Sequence, residues 1–268
     1  MAVAEAQSRV SATLNFAGDR SNGGIWSNTR PETITQTLVG HEVHFSDARA
    51  LAVAPTVGVE GFEIAISPLD GYHWDDPDWI ANVYMPDAVE LVRRVTGADF
   101  AAAIVNEVLI RDTGDVRRAP AAQFVHIDQD RGAAMLMLAV AAGGEATVAD
   151  YSRATIFNVW RSITPPPQDV PLALCDQRTG READWVIGKT IEPEWPYPIP
   201  YVSTVYSEEL NWYYYPDMSV DEALIFKNFD NGPGQPFGCL HGAFKLQAVA
   251  DDAVPRASAE TRIAAFFK

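Results

Sequence analysis

The stretch Phe124-Val125-His126-Ile127-Asp128 is an apolar run that carries an imidazole and a carboxylate two positions apart. Its composition predicts a β-strand, in which alternate side chains share one face. His126 and Asp128 therefore lie on the same side of that strand. A second apolar run, Cys239-Leu240-His241-Gly242-Ala243-Phe244, carries a further histidine that can complete a set of three ligands with this pair.

Two imidazole nitrogens and one carboxylate oxygen on one face of an octahedron are the ligand set of non-haem Fe(II). Such a set leaves three positions open, which suits a bidentate 2-oxo acid and then O2. A His-x-Asp triplet by itself is weak evidence, since short motifs also arise by chance. The strand context strengthens it, and we predict that His126, Asp128 and His241 are the metal ligands and the catalytic centre of an oxygenase.

The last apolar segment of the chain, residues 258–267, predicts a strand whose even positions share a face with Arg256. Ser258, Glu260 and Arg262 lie on that face. A guanidinium binds a carboxylate through two parallel hydrogen bonds, and a buried carboxylate needs such a partner. The pattern predicts that Arg256, assisted by Ser258 and Arg262, binds the distal carboxylate of 2-oxoglutarate, and that one or both arginines take part.

Six motifs occur in order along the chain: His126-Ile-Asp128, Asn158-Val-Trp-Arg161, Pro171-Leu-Ala-Leu-Cys-Asp176, Trp212-Tyr-Tyr-Tyr-Pro-Asp-Met218, Asp221-Glu-Ala-Leu-Ile-Phe-Lys227 and His241-Gly-Ala-Phe244. Together they resemble the AsaB-type hydroxylase/desaturase family, also called CmcJ/NvfI-like, over roughly residues 40 to 268. The resemblance implies an Fe(II)/2-oxoglutarate-dependent oxygenase of microbial secondary metabolism. It further implies Fe(II), 2-oxoglutarate and O2 as cofactors, and a hydroxylated or desaturated small-molecule product released with succinate and CO2.

The same motifs supply further candidates for the pocket. Asn158, Trp160, Tyr213 and Tyr215 are predicted to contact substrate, and Arg161 is the next candidate for the cosubstrate carboxylate. In a strand, alternation sends half of the residues of the aromatic run 212–215 to the core and half towards a pocket.

Two other classes of function remain compatible with these residues. One is a non-haem iron oxygenase that does not use 2-oxoglutarate, because the arginine spacing differs from that of many oxygenases of this kind. The other is a non-catalytic jelly-roll protein that binds a small molecule, although it would have no need for three metal ligands together with inward-facing arginines.

Charge and composition limit the partners. A net charge of −16 and a pI near 4.6 argue against nucleic acid or an anionic membrane surface, and favour a small molecule. The two cysteines, Cys175 and Cys239, are too few for a disulfide framework. We expect a cytoplasmic protein without a leader or membrane span, and the oligomeric state is open, with a homodimer as one alternative.

Short strands between Pro- and Gly-rich connections predict a mainly β fold, a double-stranded β-helix (jelly roll, cupin-like) with flanking α-helices. We expect one domain, residues 1–268, with residues 1–40 as an N-terminal arm and about 120–268 as the jelly-roll core. Residues 86–95 predict a helix that ends at Gly97. Residues 100–110 predict one buried strand, and 219–222 a capping box that opens a helical turn.

Overall fold

The structure, a computed structural model, describes residues 9–105, 107–115 and 118–268. Its strands are β1 (Arg9–Ala17), β2 (Ile25–Trp26), β3 (Leu38–Asp47), β4 (Phe62–Ile66), β5 (Phe100–Ala103), β6 (Leu109–Asp112), β7 (His126–Ile127), β8 (Arg153–Ser162), β9 (Leu172–Cys175), β10 (Trp185–Thr190), β11 (Ile199–Thr204), β12 (Trp212–Tyr214), β13 (Glu222–Asp230), β14 (His241–Ala243) and β15 (Ala257–Phe267). Its α-helices are α1 (Pro77–Trp79), α2 (Met85–Thr96), α3 (Arg131–Ala142) and α4 (Glu145–Val148). A π-helical turn, Ile80–Tyr84, joins α1 to α2.

The strands form two curled sheets that pack face to face. The larger sheet has the order β1-β3-β12-β9-β14-β7-β11-β10-β2, and the smaller has the order β4-β13-β8-β15-β5, with β6 also paired to β15. Phe45 and Ile127 from the larger sheet meet Ile156 and Phe266 from the smaller one in a common buried core. This arrangement confirms the predicted double-stranded β-helix.

Helix α2 covers the outer face of the smaller sheet. Leu91 and Val92 pack in one apolar cluster with Val159 of β8 and Ile263 of β15. Gly97 ends the helix with a positive φ of 70°, a conformation that glycine adopts without steric cost, as predicted. Because the odd-numbered residues of β8 and β15 contact this helix, their even-numbered residues face the space between the sheets.

The predicted N-terminal arm is wrong for residues 9–17. They form β1, which pairs along its whole length with β3, and Ala12, Leu14 and Phe16 are fully buried. The polar residues between them hid an apolar–polar alternation of period two, which is the mark of a half-buried strand. The jelly-roll core therefore starts well before residue 120, and residues 1–8 of the predicted arm lie outside the described residues.

Two smaller expectations are also corrected. The single strand predicted over residues 100–110 is two strands, β5 and β6, both paired with β15, and residue 106 lies outside the described residues. At the predicted capping box, Ser219 donates its backbone N–H to Oε2 of Glu222, but Glu222 begins β13 rather than a helix. The contact between Ser219 and Glu222 therefore closes a turn instead of opening a helix. Arg49 also donates two hydrogen bonds of 2.7 Å to the same carboxylate.

The position of β1 in the core predicts a large effect of Phe16→Ala. This side chain is fully buried and packs edge-on against Trp212, so its loss should lower the free energy of unfolding by about 3 kcal/mol or more in urea denaturation. Val53→Ala is the control, since Val53 is 82% exposed and should change stability by less than about 0.5 kcal/mol. If the two variants were equally stable, the conclusion that residues 9–17 belong to the core would be wrong.

Candidate metal centre

The structure brings the three predicted ligands together. Strands β7 and β14 are antiparallel neighbours in which His126 lies directly opposite His241, and Asp128 follows β7 immediately. One ligand atom from each residue lies within 4.8 Å of the other two. All three come from the inner face of the larger sheet, where little solvent reaches them.

The backbone fixes the orientation of both imidazoles. Nδ1 of His126 lies 2.9 Å from the carbonyl oxygen of Phe124, and Nδ1 of His241 lies 3.0 Å from that of Cys239. A carbonyl accepts only, so each Nδ1 carries the proton and each Nε2 presents a lone pair. The Nε2 atoms lie 3.4 and 3.7 Å from Oδ1 of Asp128, and that of His241 is buried without a hydrogen-bond partner in the described chain. This donor set fits a metal ion.

The charge state of the ligands also suits a cation. Burial opposes ionisation of Asp128, but Arg262 and the two histidines hold the pKa of this carboxyl well below its usual range. Burial, together with His241, lowers the pKa of His126. Burial acts in the same direction on His241, but the contact with Asp128 outweighs it and raises the pKa of His241. An ionised carboxylate and a neutral His126 are the forms that bind a metal.

A cavity of about 400 Å³ opens in front of His126 and Asp128. Aromatic side chains form much of its wall, and charged groups from both sheets and their connections lie among them: Trp26, Phe124, Trp195, Tyr201, Arg111, Glu192, Glu260 and Arg262. The volume and the mixture of aromatic and polar walls are typical of a pocket for a small molecule.

Arg262 belongs to the metal centre rather than to a separate carboxylate site. Its Nε donates to Oδ2 of Asp128 at 3.0 Å, and its Nη2 lies 3.5 Å from Oε1 of Glu260. The guanidinium therefore already has two carboxylate partners. This corrects the prediction that Arg262 assists in binding the cosubstrate, because alternation along β15 gives only the face of this side chain, and on that face the carboxylates of Asp128 and Glu260 lie within its reach.

Arg256 has the opposite environment. Its side chain is buried, its Nη1 donates to the carbonyl of Val170 at 2.9 Å, and the guanidinium lies 5.4 Å from the ring centroid of Trp160. Its Nε has no partner, and no ion pair to it occurs in the described part of the chain. Burial and the neighbouring Arg111 lower the pKa of Arg256 to about 10, as expected for a cation that lacks its counter-ion.

Arg161 does not face the cavity. It is an odd-numbered residue of β8, so it points to the outer side of the smaller sheet. There it donates to the carbonyl of Ser67 at 2.6 Å, to the Ser67 hydroxyl at 3.0 Å and to Asp87 at 3.1 Å. The prediction that Arg161 binds the cosubstrate is corrected, because the strand period sends it away from the site.

The four predicted substrate contacts also lie elsewhere. Asn158 is fully buried and donates to Oδ2 of Asp128 at 2.7 Å, so it supports a predicted ligand. Trp160 and Tyr215 belong to a separate apolar cluster, and Tyr213 packs against that cluster. None of the four is among the described residues that line the cavity. The prediction failed because strand alternation shows which face a side chain is on but not how far along the barrel it lies.

Two residues of the site were not predicted. Asn228 donates to Oδ2 of Asp128 at 2.8 Å, from a position where the register of β13 is irregular. Arg111 lines the cavity and is the cross-strand partner of Ser258. If residues 100–112 had been predicted as two strands instead of one, Arg111 would have been a candidate on the second strand. The irregular pairing at Asn228, in contrast, is not indicated by any residue type in the sequence.

A His–Asp–His set inside a double-stranded β-helix defines the class of non-haem Fe(II) oxygenases. Comparisons with known proteins agree. A family model described as an oxidoreductase/YMDC permease-like domain matches residues 14–266. The Fe(II)/2-oxoglutarate-dependent dioxygenase nvfI of Aspergillus novofumigatus is 31% identical over 236 residues, which cover 84% of this chain and 83% of that protein.

Two further proteins extend the similarity over almost the whole chain. The hydroxylase/desaturase efuI of Hormonema carpetanum is 26% identical over an alignment of 292 residues, gaps included, which covers 97% of this chain and 95% of that protein. The solved structure of the iron and alpha-ketoglutarate-dependent endoperoxidase NvfI matches with a TM-score of 0.86 at 25% identity, and covers 98% of this chain and 99% of that one.

The chain belongs to this family of AsaB-type, NvfI-like hydroxylases and desaturases. It is an Fe(II)/2-oxoglutarate-dependent dioxygenase that uses O2, which confirms the predicted cofactors, and its substrate is a small molecule. Neither the iron oxygenase without 2-oxoglutarate nor the non-catalytic binding protein receives support. No helix among the described residues is long and apolar enough to cross a membrane.

The contacts of Arg161 predict a structural effect of Arg161→Gln. The change leaves the carbonyl of Ser67 without its donor and should lower the free energy of unfolding by about 2 kcal/mol. The Michaelis constant for 2-oxoglutarate should stay within about twofold of the wild type, because this guanidinium lies outside the cavity. A large rise in that constant with unchanged stability would place Arg161 in the cosubstrate site after all.

Proposed function

We propose that His126, Asp128 and His241 bind the Fe(II), and that the adjoining cavity receives 2-oxoglutarate and the small molecule that is hydroxylated or desaturated. The observation that carries this proposal is the buried Nε2 of His241, which has no partner in the described chain and faces Oδ1 of Asp128 at 3.7 Å. A buried lone pair that faces a carboxylate is costly unless a cation lies between them.

The oxidation itself is supplied by iron, 2-oxoglutarate and O2 when they are bound, with succinate and CO2 as the products of the cosubstrate. The chain contributes binding, orientation and exclusion of water. The carbonyls of Phe124 and Cys239 keep the imidazoles turned to the centre. Trp26, Phe124 and Tyr201 form an aromatic wall of the cavity, which favours an apolar surface on the substrate and keeps water away from it.

Arg256 and Arg111 are the residues best suited to bind the distal carboxylate of 2-oxoglutarate. Both pKa values are lowered by burial, and Arg111 also lowers that of Arg256, so the two cations lie near each other. Neither has an ion-pair partner in the described chain, whereas Arg262 and Arg161 are already paired with carboxylates. Both guanidiniums donate hydrogen bonds to neutral groups, Arg111 to Asn28 and the Pro120 carbonyl and Arg256 to the Val170 carbonyl. An anion beside them would balance their charge.

Ser258 completes this candidate anion site. It is close to both arginines along the chain and across the sheet, since it follows Arg256 by two residues near the start of β15 and pairs with Arg111 of β6. Its hydroxyl can donate to a carboxylate that both guanidiniums approach. The combination supports the predicted Arg256 and Ser258 as cosubstrate residues and adds Arg111 to them. Arg111 lines the cavity, whereas Arg256 and Ser258 are not among its described lining residues and would lie behind Arg111, at the end where the distal carboxylate is bound.

The charge limits the partners of the enzyme. With a net charge of −16, it is expected to act on a small molecule and to avoid nucleic acids and anionic membranes. The cytoplasmic location and a homodimer stay predictions that the charge does not address.

Asp128→Ala should abolish iron binding and turnover, because it removes the anionic ligand of the centre. Anaerobic titration with Fe(II) and 2-oxoglutarate, followed through the weak visible charge-transfer band, measures the binding, and succinate release measures the turnover. His41→Ala is the matched control, since His41 stacks on Tyr206 and lies outside the ligand group. Full turnover by Asp128→Ala with added Fe(II) would refute the ligand assignment.

Arg256→Gln and Arg111→Gln should each raise the Michaelis constant for 2-oxoglutarate. Loss of one charged partner from a buried carboxylate corresponds to about 2 kcal/mol, or roughly thirtyfold. Arg93→Gln serves as the control, because Arg93 is an exposed residue of α2 paired with Glu90. If neither substitution raises the constant by about threefold, the distal carboxylate is bound elsewhere.

A further inference from the structure

Strand β13 contains one extra residue opposite β8. Lys227 pairs with Phe157 and Phe229 pairs with Ile156, so Asn228 has no partner of its own in the ladder. Such a β-bulge bends the strand and redirects side chains, and bulges are frequent next to active sites. Phe226 lies against the ring of His241 at 4.6 Å, so the bulge lies beside the metal centre.

A glycine makes room for this bulge. The segment before β14 runs alongside it, and Cys239 donates its backbone N–H to the carbonyl of Lys227 at 2.8 Å. A Cβ at residue 238 would lie 2.5 Å from the carbonyl oxygen of Asn228, so only glycine fits at Gly238. This segment therefore packs closely against the backbone of the bulge.

The side chain of Asn228 contacts Asp128 at two points. Its Oδ1 accepts the backbone N–H of Asp128 at 3.1 Å, and its Nδ2 donates to Oδ2 of Asp128 at 2.8 Å. The same Nδ2 also donates to Oδ1 of Asn158 at 2.9 Å. One amide therefore holds both the backbone and the carboxylate of Asp128, which restricts the rotation of this side chain.

Oδ2 of Asp128 accepts from three donors in total. Nδ2 of Asn158 lies at 2.7 Å, Nδ2 of Asn228 at 2.8 Å and Nε of Arg262 at 3.0 Å. A carboxylate oxygen offers about two lone pairs, so three donors leave it no further acceptor capacity. Oδ1 is the oxygen that lies near the two Nε2 atoms.

We propose that Asn228, Asn158 and Arg262 form a carboxylate clamp that limits Asp128 to one metal bond, through Oδ1. The clamp rests on the proposed ligation by His126, Asp128 and His241. A carboxylate that chelated through both oxygens would occupy a fourth position of an octahedron, whereas a single bond leaves three for cosubstrate and O2. These three are positioning residues, since they act on the metal through Asp128.

The members of the clamp contribute different forces. Arg262 supplies a positive charge, with its Nε 3.0 Å from Oδ2 of Asp128, whereas the two asparagines are neutral and fully buried and supply direction. Asn228→Ala removes one directing donor without changing the charge, whereas Asn228→Asp also adds a negative charge beside Asp128. Replacing Nδ2 of Asn228 by an oxygen, as in Asn228→Asp, would turn a donor into a second carboxylate at 2.8 Å without changing the size of the side chain.

The test compares Asn228→Asp and Asn228→Ala with Asn231→Ala. Asn231 accepts the backbone N–H of Ala154 and makes no contact with Asp128, which makes it the matched control. Metal affinity is measured by anaerobic competition titration with Fe(II), and ligand geometry from the visible absorption of the Co(II)-substituted full-length protein. Urea unfolding of the metal-free variants monitors the fold.

We expect the affinity for Fe(II) to fall about 10- to 100-fold in Asn228→Asp and about tenfold in Asn228→Ala. The Co(II) spectrum should change in both, and the control should stay within about twofold. Asn228→Ala with wild-type affinity and an unchanged Co(II) spectrum would overturn the clamp. If both Asn228 variants fail to fold, Asn158→Ala takes their place, because it removes one donor to Oδ2 and leaves the bulge intact.

Failure of the clamp and failure of the proposed ligation give different results. If Asp128→Ala binds Fe(II) as the wild type does, the ligation is wrong and the clamp falls with it. If Asp128→Ala loses the metal while the folded Asn228 or Asn158 variants keep wild-type affinity and spectrum, only the clamp is wrong.

Discussion

The register of β7 against β14 is the constraint on which the site depends. It places His126 opposite His241, and a slip of one residue would turn one imidazole to the other face of the sheet. Close packing holds the register. A Cβ at Gly242 would lie 2.6 Å from the carbonyl oxygen of Phe124, the same oxygen that orients His126. The other strands of the larger sheet thus hold β7 and β14 in this register.

Much of the fold and the centre of the site could be predicted from the sequence, because both follow from local periodicity. Alternation correctly brought His126 and Asp128 to one side of their strand. Periodicity could not show which partner a side chain meets across the barrel. The contact of Arg262 with Asp128 was therefore not predicted, and this arginine was assigned to the cosubstrate instead.

Other features lie beyond a single-sequence pattern. The bulge at Asn228 exists only because two strands pair with unequal numbers of residues, and no residue type marks that inequality. Strand β1 was missed for a different reason, since its polar positions masked a regular burial pattern that was present all along. The buried charges show a further limit. Burial and Asp128 raise the pKa of Glu260, an effect that only three-dimensional proximity produces.

The contacts of Asp128 join parts of the chain that are far apart in sequence. Its partners Asn228 and Arg262 lie 100 and 134 positions away. Non-local contacts of this kind form late in folding, after the loops between them have closed. Partly folded chains therefore lack the contacts that hold the Asp128 carboxylate, and its orientation depends on completion of both sheets, because Asn228 and Arg262 belong to the smaller sheet and Asp128 to the larger one.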